Sequence, residues 1–254
     1  MNSLGHVTSR LIPSKAVHPM PARSRWVFDD LLDRRFLKPR YEPIVDLMSG
    51  VPVGAEAMAR WPELGILPGS AHQWAVTQGR LAELDEACRN AAIDDAIDRG
   101  LASPLCLFVN LDPSVIGPGT AARLLERVVD HAALVVEIIG PAGMGRSTAL
   151  LRTVEQLRES GCAIALEDAG ACVGGTLAPS IEPDIIKLDV SVVQGRSGDG
   201  DAALAAGICS YADRTGAAVL AEGIATEAHL HRALAFGATL GEGWYFSRWT
   251  PLGT

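Results

Sequence analysis

The sequence lacks several features that would place it in a common class of protein. No apolar run approaches the roughly 18 residues that a membrane-spanning helix needs, so we predict no membrane span. No glycine-rich GxGxxG or GxxxxGK[ST] loop follows the first strand-like run, which argues against a nucleotide-binding fold of that type. The formal net charge is -8, and this acidic balance argues against binding to bulk nucleic acid.

The cysteines also lack the spacing of a metal site or a disulfide framework. They are odd in number and include no CxxC pair, and we interpret them as reduced thiols. Reduced thiols, together with the missing apolar core of a signal peptide, predict a cytoplasmic protein. The cysteines are Cys88, Cys106, Cys162, Cys172 and Cys209.

What the sequence does contain is a regular alternation of short apolar runs and amphipathic segments. Residues 1–38 are predicted to form an N-terminal tail with a short helix at Trp26–Leu37. This helix either packs on the domain that follows or binds a partner protein. Residues 39–254 are predicted to form one domain. It opens with two strand-like runs, YEPIVDL and VPVGAEAMARW, joined by a hairpin turn at MSG, and a helical stretch over about 71–99 follows.

Further strand-like runs then alternate with predicted helices near 119–132, 146–160, 202–215 and 226–236. The runs are LCLFVNL, LVVEII, AIALED, IIKLD, AVLAEG and a weaker GWYF. About eight strands separated by helices predict an α/β fold, a (β/α)8 TIM-like barrel whose first strand pair is an antiparallel hairpin. An open, doubly wound sheet is the alternative.

Polar residues interrupt nearly every strand-like run close to its C-terminal end. In a parallel barrel these ends converge on one face, where barrel enzymes place their chemistry. Carboxylates gathered in a small volume repel one another unless a cation offsets them, and hard divalent cations prefer oxygen ligands. We therefore expect metal opposite the acid pair Glu167 and Asp168. The set is Glu56, Asn110, Glu137, Glu167, Asp168, Lys187, Asp189 and Glu222.

These motifs resemble those of the EAL-domain family, which hydrolyses cyclic di-GMP. The resemblance runs from about Tyr41 to Phe246, with EAM at Glu56–Met58 in place of Glu-Ala-Leu. The remaining motifs follow in family order and at family-like spacing. They are FVNLD, LVVEIIG, IALEDAG, PDIIKLDVSVV, VLAEGIATEAHL and GATLGEGWYFSRW.

The resemblance implies a two-metal site, filled by Mg²⁺ or Mn²⁺, that opens one phosphodiester bond of cyclic di-GMP to give the linear dinucleotide pGpG. The implied metal ligands are Glu56, Asn110, Glu137, Glu167, Asp168 and Glu222. The implied catalytic residues are Lys187, which would hold or help activate the attacking water, with Glu222, Glu56 and Asp168. The expected ligand-binding residues are Arg60, Glu42, Asp189 and Glu242.

Several departures from the family pattern leave the activity open. Glu167 is one methylene longer than the usual Asp, and a displacement of about 1 Å can cost on the order of 100-fold in rate. The other departures are Ala169 for an aromatic residue, Gly140 and Ala225 for glutamates, and Glu42 and Glu242 for glutamines. The expectation is a slow cyclic di-GMP phosphodiesterase.

Three alternatives remain open. The first is a catalytically inactive cyclic di-GMP receptor, and the second is a protein-interaction module, with a protein partner or a homodimer as the expected assembly. The third is an unrelated barrel enzyme in which Lys187 forms a Schiff base.

Overall fold

Eight strands close into a barrel in which every strand pairs with its neighbours in chain order. The structure, a computed structural model, describes residues 27–126, 133–139, 147–167, 178–195 and 200–246. The strands are β1 Lys38–Asp46, β2 Pro52–Arg60, β3 Cys106–Leu111, β4 Ala133–Ile139, β5 Ala163–Glu167, β6 Ile185–Leu188, β7 Ala218–Ala221 and β8 Leu240–Glu242. The predicted (β/α)8 barrel is confirmed.

The first strand runs against all the others. β1 pairs antiparallel with both β2 and β8, whereas each later pair of strands is parallel. The turn from β1 to β2 is built by Asp46, whose Oδ1 accepts hydrogen bonds from the backbone N and the Oγ of Ser49 at 2.7 and 2.8 Å. Gly50 follows with φ of 70°, a conformation that favours glycine. The antiparallel hairpin predicted from YEPIVDL and VPVGAEAMARW is therefore confirmed.

Helices connect most of the strands and cover the outside of the barrel. They are α1 Pro68–Gln78, α2 Leu81–Asp98, α3 Thr120–Leu125, α4 Thr148–Glu159, α5 Ala178–Ile181, α6 Val190–Val193, α7 Gly200–Thr215 and α8 Glu227–Ala235. The helical stretch predicted over about 71–99 is confirmed, and it consists of two helices, because Gly79 ends α1 in the left-handed conformation and α2 starts anew at Leu81. None of the helices in the described ranges is long and apolar enough to span a membrane.

Two local predictions are corrected. The described part of Trp26–Leu37 is not an amphipathic α-helix: only Phe28–Leu31 is helical, as a 3₁₀ turn. The segment packs on the domain, because Phe28, Leu31 and Leu37 are buried in one cluster with Trp61.

The weak run GWYF is not a strand. β8 ends before it, at Glu242, and the chain turns at Gly243, where φ is 140°. The N–H of Tyr245 then donates to the carbonyl of Ile224 at 2.9 Å. The apolar residues of this run therefore belong to a turn that follows β8.

The inside of the barrel contains an apolar layer, to which six strands contribute one residue each. The layer consists of Ile44, Phe108, Val135, Ala165, Ile185 and Leu220. Where β2 passes this level it carries Gly54, and a Cβ there would lie 2.6 Å from the carbonyl oxygen of Cys106. The barrel is therefore filled at this level by side chains and by close backbone approach. This packed layer supports the residues that lie next to it toward the mouth of the barrel.

Candidate active site

A layer of polar and charged side chains lies directly above the apolar layer. Side chains two residues apart on a strand share a face, so each apolar residue has a polar residue one step nearer the mouth of the barrel. Strand register sets Glu42 opposite Glu56 and Asn110 beside Glu137. This charged layer consists of Glu42, Glu56, Asn110, Glu137, Glu167, Lys187, Glu222 and Glu242.

Lys187 contacts four members of the charged layer. Its Nζ lies 2.7 Å from Glu56 Oε2, and 3.0 Å from Glu137 Oε1. It also lies 3.0 Å from Glu222 Oε1 and 3.2 Å from Glu242 Oε1. The lysine side chain is only 1% exposed, so these ion pairs form away from bulk water. Four carboxyl groups around one ammonium are more than it can neutralise if all are ionised, which favours protonation of some of them.

The ionisation of the charged layer follows from burial and from these contacts. Burial by itself lowers the pKa of Lys187, but the surrounding glutamates, Glu137 first, outweigh burial and hold that pKa well above its usual value. Burial raises the pKa of Glu137 and of Glu242, in both cases with help from the charge of Glu56. Burial raises the pKa of Glu56, but the charge and hydrogen bond of Lys187, with hydrogen bonds from Glu242 and Asn110, together outweigh burial and lower it.

Glu42 also belongs to the layer, and the charge of Lys187 lowers its pKa without outweighing the effects that raise it. Burial first, and then the charge of Glu56, raise the pKa of Glu42 to about 7. At neutral pH the site therefore contains a charged lysine. Glu42, Glu137 and Glu242 hold protons more tightly than exposed glutamates do, whereas Glu56 holds its proton less tightly.

The donor chemistry of the layer fits a hard divalent cation. Glu137 Oε2 and Glu242 Oε2 are buried oxygens without a hydrogen-bond partner in the described ranges, and a cation would satisfy them. As the side chains stand, no three Asp, Glu, His or Cys residues among those described are gathered closely enough to hold a metal ion. In this arrangement Lys187 supplies the positive charge, and the metal expected opposite Glu167 and Asp168 stays a prediction.

The remaining predicted site residues lie at the ends of their strands. Arg60 ends β2, and its guanidinium donates to the carbonyl of Ala59 at 2.8 Å and contacts Met58 Sδ at 3.3 Å. Asp189 caps α6, because its Oδ1 accepts from the N–H of Ser191 at 2.7 Å. This cap is a local structural role that the sequence analysis did not anticipate.

Some predicted positions cannot be placed with the others. Asp168, Gly140 and Ala169 lie outside the described residues. Ala225 is exposed just after β7, and its N–H faces His229 Nδ1 at 3.3 Å. The described residues therefore bring together Glu42, Glu56, Asn110, Glu137, Glu167, Lys187, Glu222 and Glu242.

A cavity of about 380 Å³ opens beside the charged layer and extends toward α1 and α2. Its polar lining includes Glu56, Asn110, Glu167, Arg60, His72, Asp85, Arg89 and Asp112. The sequence analysis missed the last four of these. The i, i+4 spacing of Asp85 and Arg89, which form an ion pair on α2, was a signal for two of them. His72, whose Nε2 lies 3.2 Å from Asp112 Oδ2, belonged to no motif.

Comparison with known proteins places the chain in a family. The EAL domain model matches residues 25–249, so this protein belongs to the EAL-domain family. An uncharacterised protein of Mycobacterium tuberculosis is 28% identical over 231 residues, which cover 84% of this chain and 75% of that protein. The cyclic di-GMP phosphodiesterase RocR of Pseudomonas aeruginosa is 26% identical over 238 residues, 87% of this chain and 59% of RocR.

A solved structure supports the same assignment. The phosphodiesterase MucR of Pseudomonas aeruginosa, in complex with cyclic di-GMP, has a TM-score of 0.74 and is 25% identical. The match covers 88% of this chain and 95% of that chain. The family resemblance inferred from the motifs is thereby confirmed.

Proposed function

We propose that this chain is a metal-dependent phosphodiesterase that opens one phosphodiester bond of cyclic di-GMP and releases the linear dinucleotide pGpG. The observation that carries the proposal is the charged layer at the mouth of an EAL-family barrel, with Lys187 at its centre. RocR and MucR, both named as phosphodiesterases acting on cyclic di-GMP, support the choice of substrate.

Mg²⁺ or Mn²⁺ is the proposed cofactor. The residues proposed to hold it are Glu56, Asn110, Glu137, Glu167, Asp168 and Glu222. The unpartnered Glu137 Oε2 supports this assignment, because an anionic oxygen buried without a partner is costly. When bound, a pair of such ions polarises the phosphoryl oxygens and makes water a stronger nucleophile.

The chain's own residues would orient the reactants and move the proton. Because the pKa of Lys187 is raised, its ammonium stays protonated at neutral pH and donates hydrogen bonds, so it holds a water molecule in place and takes no proton from it. Glu222 is the proposed acceptor of that proton. Burial raises its pKa, and its side chain is 17% exposed, which leaves a route for the proton to solvent.

Two features support slow turnover. Glu167 ends β5 with a side chain one methylene longer than the Asp expected there, and it therefore presents its carboxylate at a different depth. Glu242 adds a fourth carboxylate to Lys187, 3.2 Å from Nζ, where the family pattern has a neutral glutamine. Both changes disturb the geometry of the site and leave its chemical groups present.

The test is incubation of purified protein with cyclic di-GMP in Mg²⁺ and in Mn²⁺, with the nucleotides separated by chromatography. Glu56→Ala is the inactive variant, and Glu155→Ala, which changes an exposed glutamate on α4, is the matched control. We expect pGpG from the native chain and from Glu155→Ala, and none from Glu56→Ala. Absence of pGpG with either metal would reject the enzymatic proposal.

A catalytically inactive receptor for cyclic di-GMP is the second candidate. The observation in its favour is that Lys187 already neutralises Glu56 and Glu137, which the metal would need. Calorimetric titration with cyclic di-GMP in Ca²⁺ separates the candidates: binding without product supports the receptor. If neither binding nor product is found, the protein-interaction module remains, and light scattering would then establish whether the chain forms a homodimer.

We propose the cytoplasm as the site of action. Four cysteines, Cys88, Cys106, Cys162 and Cys209, are free thiols, which is typical of a reducing compartment. Cell fractionation followed by immunoblotting tests this location, and recovery with the membrane or the medium would contradict it.

A further inference from the structure

The end of β3, which carries Asn110 into the charged layer, has a strand neighbour on one side only. β3 pairs with β4 along its whole length, as far as Leu111 opposite Ile138. Its pairing with β2 stops at Phe108 opposite Glu56, although both strands continue beyond that level. The cavity beside the charged layer is lined by the ends of both strands. On the side of β2, the end of β3 therefore depends on contacts other than strand pairing.

Asp112, the residue that follows β3, supplies such contacts. Its Oδ2 lies 3.2 Å from Nε2 of His72 on α1, and because an ionised carboxylate only accepts hydrogen bonds, the imidazole is the donor. The N–H of Asp112 donates to Oδ1 of Asp85 on α2 at 3.3 Å. Its own Oδ1 accepts from the N–H of Ser114 at 2.8 Å and so caps the 3₁₀ turn Pro113–Val115. Asp112 thus connects the end of β3 to α1 and to α2.

The two helix contacts differ in how far they are shielded from water. Asp85 forms an ion pair with Arg89, one turn further along α2, and the two side chains are only 11% and 9% exposed. His72 is exposed at the surface of α1. Asp85 is therefore a fixed anchor that packing and charge hold in place, whereas His72 can be replaced without opening the core of the protein.

We propose that His72, acting through Asp112, positions the carboxamide of Asn110 at the edge of the charged layer. Asn110 lies two residues before Asp112, and its side chain donates a hydrogen bond to Glu56. An end of a strand that is held from one side can shift toward the open side, and the contact with α1 opposes that shift. The consequence for a metal ion rests on the proposed function, in which Asn110 is a ligand, whereas the attachment of β3 to α1 does not.

Loss of the hydrogen bond from His72 should loosen the end of β3 and weaken metal binding. His72→Leu removes the donor, whereas His72→Gln retains an N–H group that can reach Asp112 and should restore the native behaviour. Groups that hold a metal ligand typically change metal affinity by about 10- to 100-fold, and His72 acts one contact further away, so we expect the dissociation constant for Mn²⁺ to rise about three- to tenfold in His72→Leu. The direction is diagnostic, because removing a residue that acted only as a cation would tighten Mn²⁺ binding.

Two measurements test the inference without cyclic di-GMP. The first is titration with Mn²⁺, with the free ion measured by electron paramagnetic resonance, for the native chain, His72→Leu, His72→Gln and His231→Leu. His231 is an exposed histidine on α8 and serves as the matched control. The second is amide hydrogen exchange over residues 106–116 in EDTA, followed by mass spectrometry. We expect weaker Mn²⁺ binding and faster exchange in His72→Leu alone.

The outcomes distinguish failure of this inference from failure of the proposed function. Unchanged exchange in His72→Leu, or an affinity for Mn²⁺ equal to that of the native chain, would overturn the positioning role of His72. An equal loss in His72→Gln or in His231→Leu would also overturn it, because the effect would then not depend on the hydrogen bond to Asp112. A native chain without affinity for Mn²⁺ would reject the proposed metal site, and the exchange measurement would still decide whether His72 holds the end of β3.

Discussion

The apolar layer and the charged layer of the barrel interior are built by the same strands, one step apart. Phe108 lies in the first and Asn110 in the second, and Ile185 and Lys187 are related in the same way. Both layers are mostly buried, so a side chain's burial by itself does not distinguish them. What differs is the source of stability: the lower layer gains free energy by removing apolar surface from water, and the upper layer must offset the cost of buried charge.

The comparison shows how the fold accommodates the free-energy cost of burying charged side chains. The lower layer is filled and closes the barrel beneath the carboxylates, so they have no access to water from below. The upper layer keeps two buried carboxylate oxygens, of Glu137 and Glu242, without a partner in the described residues. The divalent cation that we propose would offset the charge of this rigidly supported layer.

The largest expected effect comes from removing the cation of the upper layer. Lys187→Met leaves Glu56, Glu137 and Glu242 buried without their counter-charge, and should lower the free energy of unfolding by about 3–5 kcal/mol. Urea unfolding at pH 7 measures the loss. Adding Glu137→Gln to Lys187→Met should recover part of it, and no recovery would mean that packing of the lysine stem, and not charge, carries its role.

A smaller effect is a pH dependence of the free energy of unfolding, which the charged layer should cause and the apolar layer should not. The pKa of Glu42 is raised to about 7, so the folded protein keeps a proton that the unfolded chain has lost above about pH 4.5. Stability should therefore fall as pH rises from about 4.5 to 7, by on the order of 2–3 kcal/mol from this group, and level off above. Urea unfolding of Glu42→Gln in EDTA should show a flatter profile than the native chain.

The control for this pH dependence is Glu155→Gln, which changes an exposed glutamate on α4 and should keep the native profile. If Glu42→Gln also kept it, the electrostatic description of Glu42 would be wrong.

A third change, in the charged layer, is tested by its effect on the proposed hydrolysis of cyclic di-GMP. Glu167→Asp restores the shorter side chain that the family pattern has at the end of β5, above Ala165 of the lower layer. If the proposed phosphodiesterase is slow because this carboxylate is displaced, kcat should rise about 10- to 100-fold. The measurement is steady-state hydrolysis of cyclic di-GMP, with Glu155→Asp as control. A fall in kcat would show that the site is adapted to the longer residue.

The smallest expected effect belongs to the lower layer. Ile44→Val removes one buried methylene and should lower the free energy of unfolding by about 1 kcal/mol. Its stability profile with pH and its kcat should match the native values, because no charge is touched. A change in either would mean that the two layers are coupled through β1, where Glu42 lies two residues from Ile44.

The sequence analysis was accurate where a signal is local. The hairpin of β1 and β2, the succession of strands and the polar residue near each strand end all follow from short patterns. It failed where a local pattern is ambiguous: GWYF has the composition of a strand but forms a turn. It predicted the helical stretch over about 71–99 but not its division at Gly79. Tertiary hydrogen bonds, such as that from Tyr245 to Ile224, decide between such alternatives.

What the sequence by itself determined is which residues face the inside and at which level, because the two-residue period of a strand fixes both. What only the tertiary structure decided is which of these residues touch. Lys187 and Glu56 lie 131 positions apart along the chain and 2.7 Å apart in the barrel, and Glu137 and Glu242 meet the same ammonium. No periodicity encodes those contacts; they arise because closing the barrel directs side chains from separate strands into one buried space, where the carboxylates and the lysine must neutralise each other.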